Sequence, residues 1–372
     1  MTSPTGLLVD ASAHVFFESE RDLRDHLPEP IRSRGWPAVD VALAAPIGPK
    51  YAAGTEGSDG KHPGSDPELA GRHLFAERGF DLAVLHPMSA ATNVPDWHVG
   101  SAILGATNRM LAERWLESGT YADRFRGTIR VNPHDIDGAL REIEIWKNHP
   151  RMVQIGLPMQ TQMPYGRPYY DPIWRAACDA GLPVAVHWEM GMGITHPPTP
   201  SGPARTYAHH GAFTPMTFIW HLLNMIPEGV FAKFPDLKMI WADGAADMLT
   251  PFIWRMDTFG RPHLEQTPWA PLMPSDYLAD HNFFVHSLMD GPGDADFAGE
   301  WLRMTGKEDM LMFGSSYPDW QLVSPADLPT AWSDQQRRKV LGDNAASVFG
   351  FEHLAPARSG PSRPTGSERT HA

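Results

Sequence analysis

"DPIWRAACDAGLPVAVHW", residues 171–188, reads as one helix followed by one strand. The first part, through Gly181, is helical in character, and "LPVAVHW" (182–188) is a short apolar run that stops at a histidine. An apolar run without polar alternation is what a strand looks like when both its faces are buried, as in a parallel sheet. The same kind of run recurs along the chain. "GLLVDA" (6–11), "FDLAVLHP" (80–87), "FRGTIRVNP" (125–133) and "MVQIGLP" (152–158) precede it; "LKMIWADG" (237–244), "NFFVHS" (282–287) and "DMLMFGSS" (309–316) follow.

Between these runs lie helical stretches: "SAILGATNRMLAERWLES", "DIDGALREIEIWKNH", "ADFAGEWLRMTG" and "SDQQRRKVLGDNAASVFGF". In the second of them Leu140, Ile143 and Trp146 recur at three-residue steps on one face, and Asp135 is placed to cap its start. Eight alternating β and α units predict an α/β protein, a single (β/α)8 barrel spanning residues 1–355. An open dinucleotide-binding sheet is disfavoured, because no G-x-G-x-x-G turn follows the first strand. The tail 356–372 has no apolar periodicity and is expected to be disordered. Two Pro- and Gly-rich stretches, 37–70 and 189–216, break the rhythm and read as long loops at strand C-termini, where such a barrel builds its pocket.

Composition narrows the function classes. A formal charge of −13 argues against nucleic acid and against an anionic membrane surface. The single Cys178 excludes a disulfide framework and a cysteine-rich zinc site; it sits in a helical stretch and reads as a buried helix residue. The N-terminus lacks the basic region and apolar core of a signal peptide, and no long apolar window spans a membrane, so a cytoplasmic protein is expected. Eighteen histidines are a surplus that favours metal or acid/base chemistry.

In a barrel the informative positions are polar residues where an apolar strand stops. His14 follows "LLVDASA", His187 ends "LPVAVH", Asp243 ends "LKMIWAD" and Ser316 ends "MLMFGSS". Asp10 lies inside the first strand, where a buried carboxylate must be paired. Two imidazoles from different strands with oxygen donors beside them make an open catalytic metal site.

These segments resemble the amidohydrolase-related ("amidohydrolase 2" type) metal-dependent hydrolases and decarboxylases, relatives of the aminocarboxymuconate semialdehyde decarboxylases. The likeness runs from about residue 6 to residue 352. Its most specific pieces are "RPYYDPIWRAACDAGLPVAVHWEMG", "EGVFAKFPDLKMIWADGAADMLTPFIWRMD" and "LMFGSSYPDW". The resemblance implies a divalent metal, zinc first, held by His14 and His187; Asp243, which stands where the nearest branch has Glu and the decarboxylases a catalytic His, is the expected general base, with His187 beside it in catalysis. It also marks a departure. Ser12 and Ser316 occupy the other two ligand positions, so "GSSYP" is the family's "GSDYP" with its acid removed, and Asp319 replaces the histidine of that turn.

A neutral hydroxyl binds a divalent ion less strongly than a carboxylate and is no base near pH 7, so the metal is expected to be weakly held or absent. His209 and His210 of the long loop, with Ser316 and Asp319, are the expected substrate contacts. The implied function is hydrolysis or decarboxylation of a small organic acid, ester or lactone at a remodelled metal site. Two alternatives stay open: a non-catalytic subunit paired with an intact sibling, or a metal-independent cyclase or isomerase. The expected partner is a small-molecule substrate, with a homodimer or a heterodimer as the assembly.

Overall fold

The structure is a computed structural model; it describes residues 6–34, 51–57, 61–89, 91–188, 206, 215–242, 246–260, 265–286, 300, 302, 304–319 and 322–354. Eight parallel strands follow one another in sequence order around a single sheet. They are β1 (Val9–Val15), β2 (Leu82–Pro87), β3 (Phe125–Arg130), β4 (Met152–Pro158), β5 (Val184–His187), β6 (Met239–Ala242), β7 (Asn282–His286) and β8 (Leu311–Phe313). All eight expected strands are present. The seam between β8 and β1 is closed by backbone bonds from His14 N to Tyr317 O (2.6 Å) and from Ser316 N to Ser12 O (3.1 Å). The result is a (β/α)8 barrel.

Residue alternation along the strands divides the interior into two cores. Ala83, Leu85, Ile129, Ile155, Val184, Val186, Met239, Trp241, Phe284, Leu311 and Phe313 pack outward with helix residues such as Leu104, Ile143, Trp174 and Phe218. Their neighbours Val84, Ala185, Ile240, Ala242, Val285 and Met312 form a separate cluster inside the barrel. Ala345, Ala346, Val348 and Phe351 join that second cluster, so the C-terminal helix plugs the N-terminal end of the cylinder. Strands buried on both faces need both cores, which is why they read as continuous apolar runs.

The helices follow the sequence signals. Asp135 caps the helix Ile136–Trp146 through a bond from Gly138 N (3.1 Å). The helix Asp171–Ala180 ends on Gly181 at φ +65°, a left-handed stop that glycine adopts without strain. Cys178 of this helix is half-buried rather than enclosed, and its thiol is free. The helix Pro215–Met225 carries His221 on its buried side. The stretch expected as helix at 295–306 and the tail from 355 lie largely or wholly outside the described residues.

Candidate active site

The first strand runs further than its apolar run suggests. A bulge between Asp10 and Ala13 lets β1 continue to Val15, so His14 lies inside the strand, in register with His86 of β2. From the far side of the barrel, β5 brings His187 to meet it. The two Nε2 atoms are 3.0 Å apart and the rings cross at 83° with centroids 4.8 Å apart. His187 Nδ1 donates to the Trp188 carbonyl at 2.6 Å. That bond places the proton of neutral His187 on Nδ1, which leaves the lone pair of Nε2 aimed at His14. An imidazole oriented by a backbone carbonyl in this way is pre-set as a ligand or a base.

The turn after β8 explains its two serines. Asp10 is fully buried and accepts from Ser315 N (2.9 Å), Ser315 Oγ (2.5 Å) and Ser12 N (3.1 Å). Burial pushes its carboxyl up to about 6, against the pull of these donors and of His14. Ser315 is therefore the partner that the buried carboxylate requires, and it pins β8 to β1. Ser316 stands next to it at φ +56°, a left-handed backbone that is uncommon outside glycine and is found at functional sites. Gly314 makes the approach possible: a Cβ there would fall 2.6 Å from Val285 Cγ1 and 2.9 Å from Ser12 Cβ. Ser12 Oγ is buried with no hydrogen-bond partner among the described residues.

Four further polar residues crowd the same end of the barrel, none of them singled out by the sequence. His86 is fully buried and stacks on His187, with centroids 4.7 Å apart and rings inclined by 30°. Gln154 Nε2 lies 3.0 Å from His86 Nε2 and donates to Thr128 Oγ1 at 2.7 Å, tying β2, β3 and β4 together. Arg130, at the C-terminal end of β3 and without exposed surface, donates from Nη1 to the Pro87 carbonyl at 2.8 Å. His86 has the same signature as His187, a histidine ending an apolar run, and that signal could have found it. Arginine in a strand carries no such signal.

An aromatic wall stands above these groups. Phe16, Met88, Tyr51 and Trp188 form their own apolar cluster, and three of them directly follow β1, β2 and β5. Tyr51 pairs its backbone with Asp319 and donates its hydroxyl to His62 Nε2 at 3.0 Å. Burial, with Asp319 nearby, raises the Tyr51 phenol well above its ordinary range, so it stays a neutral donor.

The structure thus brings His14, His187, Ser12, Ser316 and Asp319 to one end of the barrel. Asp243, His209 and His210 lie outside the described residues. His221 is structural: its Nδ1 accepts from Tyr165 N (3.2 Å) and its Nε2 donates to Met159 O (2.7 Å). Among the described residues no group of three His, Cys, Asp or Glu side chains is placed to hold a metal ion.

The family model for amidohydrolases matches residues 9–351, nearly the whole barrel. The chain belongs to the amidohydrolase family. Among solved structures, an amidohydrolase from Mycobacterium avium subsp. paratuberculosis is 18% identical with a TM-score of 0.73, over 92% of this chain and 99% of that one. A dihydroxybenzoic acid decarboxylase from Polaromonas, solved with manganese and 2-nitroresorcinol, is 21% identical with a TM-score of 0.63, over 93% and 97%. The 5-carboxyvanillate decarboxylase of Sphingomonas paucimobilis is 20% identical with a TM-score of 0.59, over 92% and 99%. No curated protein matches. This amidohydrolase-family barrel therefore has decarboxylases among its structural neighbours. Among the described residues no helix is long and apolar enough to cross a membrane.

Proposed function

We propose that this amidohydrolase-family protein is an enzyme that hydrolyses or decarboxylates a small organic acid at a remodelled metal site. The observation that carries the reading is the His14–His187 pair, with Nε2 atoms 3.0 Å apart at the C-terminal end of the barrel. Zinc–imidazole bonds are about 2.0–2.1 Å long, so two ligands on one ion sit roughly 3.0–3.4 Å apart between right-angle and tetrahedral geometry, and this pair stands at the short end of that range. The orientation of His187 by the Trp188 carbonyl supports the same role.

The nitrogen side of the site therefore fits a divalent ion, and His14 and His187 would hold it. Bound there, a divalent ion polarises a substrate oxygen and lowers the pKa of a coordinated water. Ser12 and Ser316 are read as standing at the other two ligand positions of the family, which leaves the ion held by fewer strong donors than usual. Asp243 at the end of β6 is the proposed base. The identity of the metal is the finer point: imidazole donors suit zinc, whereas the Polaromonas relative was solved with manganese.

The chain's own residues then have definite tasks. His187 and His14 orient the reacting group. Asp10 and Ser315 hold β1 against β8 so that Ser12 and Ser316 line the same side. Phe16, Tyr51, Met88 and Trp188 exclude water from above.

The test is metal analysis of the purified protein together with a screen for carbon dioxide release and for hydrolysis, using wild type and His187→Ala. The reading predicts a divalent metal that is lost, along with turnover, in the variant. Metal and activity unaffected by His187→Ala would refute it. A second reading, a non-catalytic partner, rests on the two serines read at ligand positions. It predicts a metal-free chain that co-purifies with a sibling carrying the intact Asp-x-His and "GSDYPH" motifs.

A further inference from the structure

Three imidazoles, not two, meet at the C-terminal end of the barrel. His86 stands beside His14 in the β1–β2 register, and its ring stacks on His187 with centroids 4.7 Å apart and planes inclined by 30°. His187 is thereby covered on one face by His86, approached at Nε2 by His14 (3.0 Å) and held at Nδ1 by the Trp188 carbonyl (2.6 Å). His14 and His86 nevertheless have different tasks, and Gln154 is what separates them.

Gln154 is fully buried on β4, in register with Thr128 of β3. Its amide nitrogen has two protons to give, and two acceptors stand within reach: Thr128 Oγ1 at 2.7 Å and His86 Nε2 at 3.0 Å. Its Oε1 is buried with no hydrogen-bond partner among the described residues. Turning the amide over would let Oε1 accept from both neighbours, but it would leave two buried N–H donors unmet. A buried carbonyl oxygen left short is tolerated more readily than a buried N–H, so the nitrogen faces His86.

That orientation makes His86 Nε2 an acceptor and places the proton of neutral His86 on Nδ1. It also takes up the Nε2 lone pair, which a metal ligand would have to offer. Gly156 supports the arrangement from the same strand. A Cβ there would fall 2.5 Å from Thr128 Cγ2 and 3.0 Å from Arg130 Cδ, so the bare backbone gives both side chains room to lie over β4.

We infer that His86 is a positioning residue for His187: fixed at Nε2 by Gln154, and through Gln154 by Thr128, it presents a flat face that holds the His187 ring edge-on to His14 without itself binding the ion. This assignment rests on the proposed function for what His187 does, and it adds the residues that set the plane of the ring. A site with two strong donors depends on their being aimed beforehand.

His86→Ala removes the face, and His86→Phe restores it without either nitrogen. The first measurement is manganese affinity, by titration on the full chain. The expected result is an affinity lowered about tenfold or more in His86→Ala, the size found for partners that orient a ligating imidazole, and returned to within a few fold of wild type in His86→Phe. The second is histidine NMR on the same chains in EDTA at mildly alkaline pH, with the His187 signal assigned by its absence in His187→Ala. Wild type and His86→Phe should hold His187 in the Nδ1–H form, and His86→Ala should show a mixture of both tautomers. If His86→Ala fails to fold, Gln154→Met is measured in its place; it keeps the volume, releases His86 Nε2, and should move both readouts in the same direction by less. A folded His86→Phe as weak as His86→Ala, or a His187 tautomer indifferent to His86→Ala, overturns the assignment. A tautomer that follows His86 in a protein that takes up no metal leaves the positioning intact and sinks the proposed function. Metal held through His187 with the same affinity in His86→Ala does the reverse.

Discussion

The two ends of the barrel interior are built from the same strands and have opposite chemistry. Toward the N-terminal end the inward residues are Val84, Ala185, Ile240, Val285 and Met312, sealed by Val348 of the C-terminal helix and by Phe351 just beyond it. Toward the C-terminal end, one or two inward positions further along, they are His86, Arg130, His187 and the hydroxyls beside them. The apolar end needs no hydrogen-bond partners and derives its stability from close packing. At the polar end Arg130 is committed to the Pro87 carbonyl, His86 to Gln154 and His187 to the Trp188 carbonyl. In this barrel stability and chemistry are separated by about one layer of side chains.

The separation predicts that damage at one end leaves the other intact. Ile240→Ala opens a cavity in the sealed end and should cost about 2–5 kcal/mol in urea unfolding, with metal content per folded molecule unchanged. A parallel loss of metal would mean that the two ends are not independent. His187→Ala should do the opposite, lowering metal affinity at least about 100-fold while moving the unfolding midpoint little. Between them sits Ser315→Ala, which strips the side-chain donor from the buried Asp10 and should cost about 1–3 kcal/mol. Because Asp10 clamps the seam beside Ser12, this variant is the one expected to disturb both ends.

The smallest effect sharpens the contrast. Lys307 is 3% exposed on the turn leading into β8, at the apolar end, where its ammonium donates to Thr250 Oγ1 at 3.0 Å. Burial depresses it to about 8 from an ordinary value of 10.5. Below pH 8 both folded and unfolded chains carry the proton, and the full burial penalty applies. Between about 8 and 10.5 the unfolded chain binds more protons than the folded one, so stability should rise with pH across that window. Lys307→Met should therefore be more stable at pH 7, by on the order of 1 kcal/mol, and should lose that rise. An unchanged slope would mean that the ammonium is solvated.

Much of the fold was legible because parallel strands buried on both faces leave unbroken apolar runs, and all eight runs became strands. The limits of β1 were not, since the bulge at Asp10–Ala13 that carries the strand to Val15 leaves no mark in the pattern. His14 and His187 were legible as polar residues closing apolar strands. His86 carries the same mark, at the end of the apolar run of β2. Ser315 was hidden for another reason: its partner Asp10 is 305 residues away, and no local pattern reports such a contact. Arg130 was hidden because an arginine in a strand reads as a surface residue until the glycine beneath it is known. Asp243, His209 and His210 lie outside the described residues.

The central claim is that His14 and His187 together bind one metal ion. Pulsed electron paramagnetic resonance of the manganese-loaded protein counts imidazole nitrogens bound to the ion. Two coupled nitrogens in the wild type, falling to one in His14→Ala and one in His187→Ala, are the predicted result. Bound manganese with no imidazole coupling, or a signal that neither substitution alters, would contradict it.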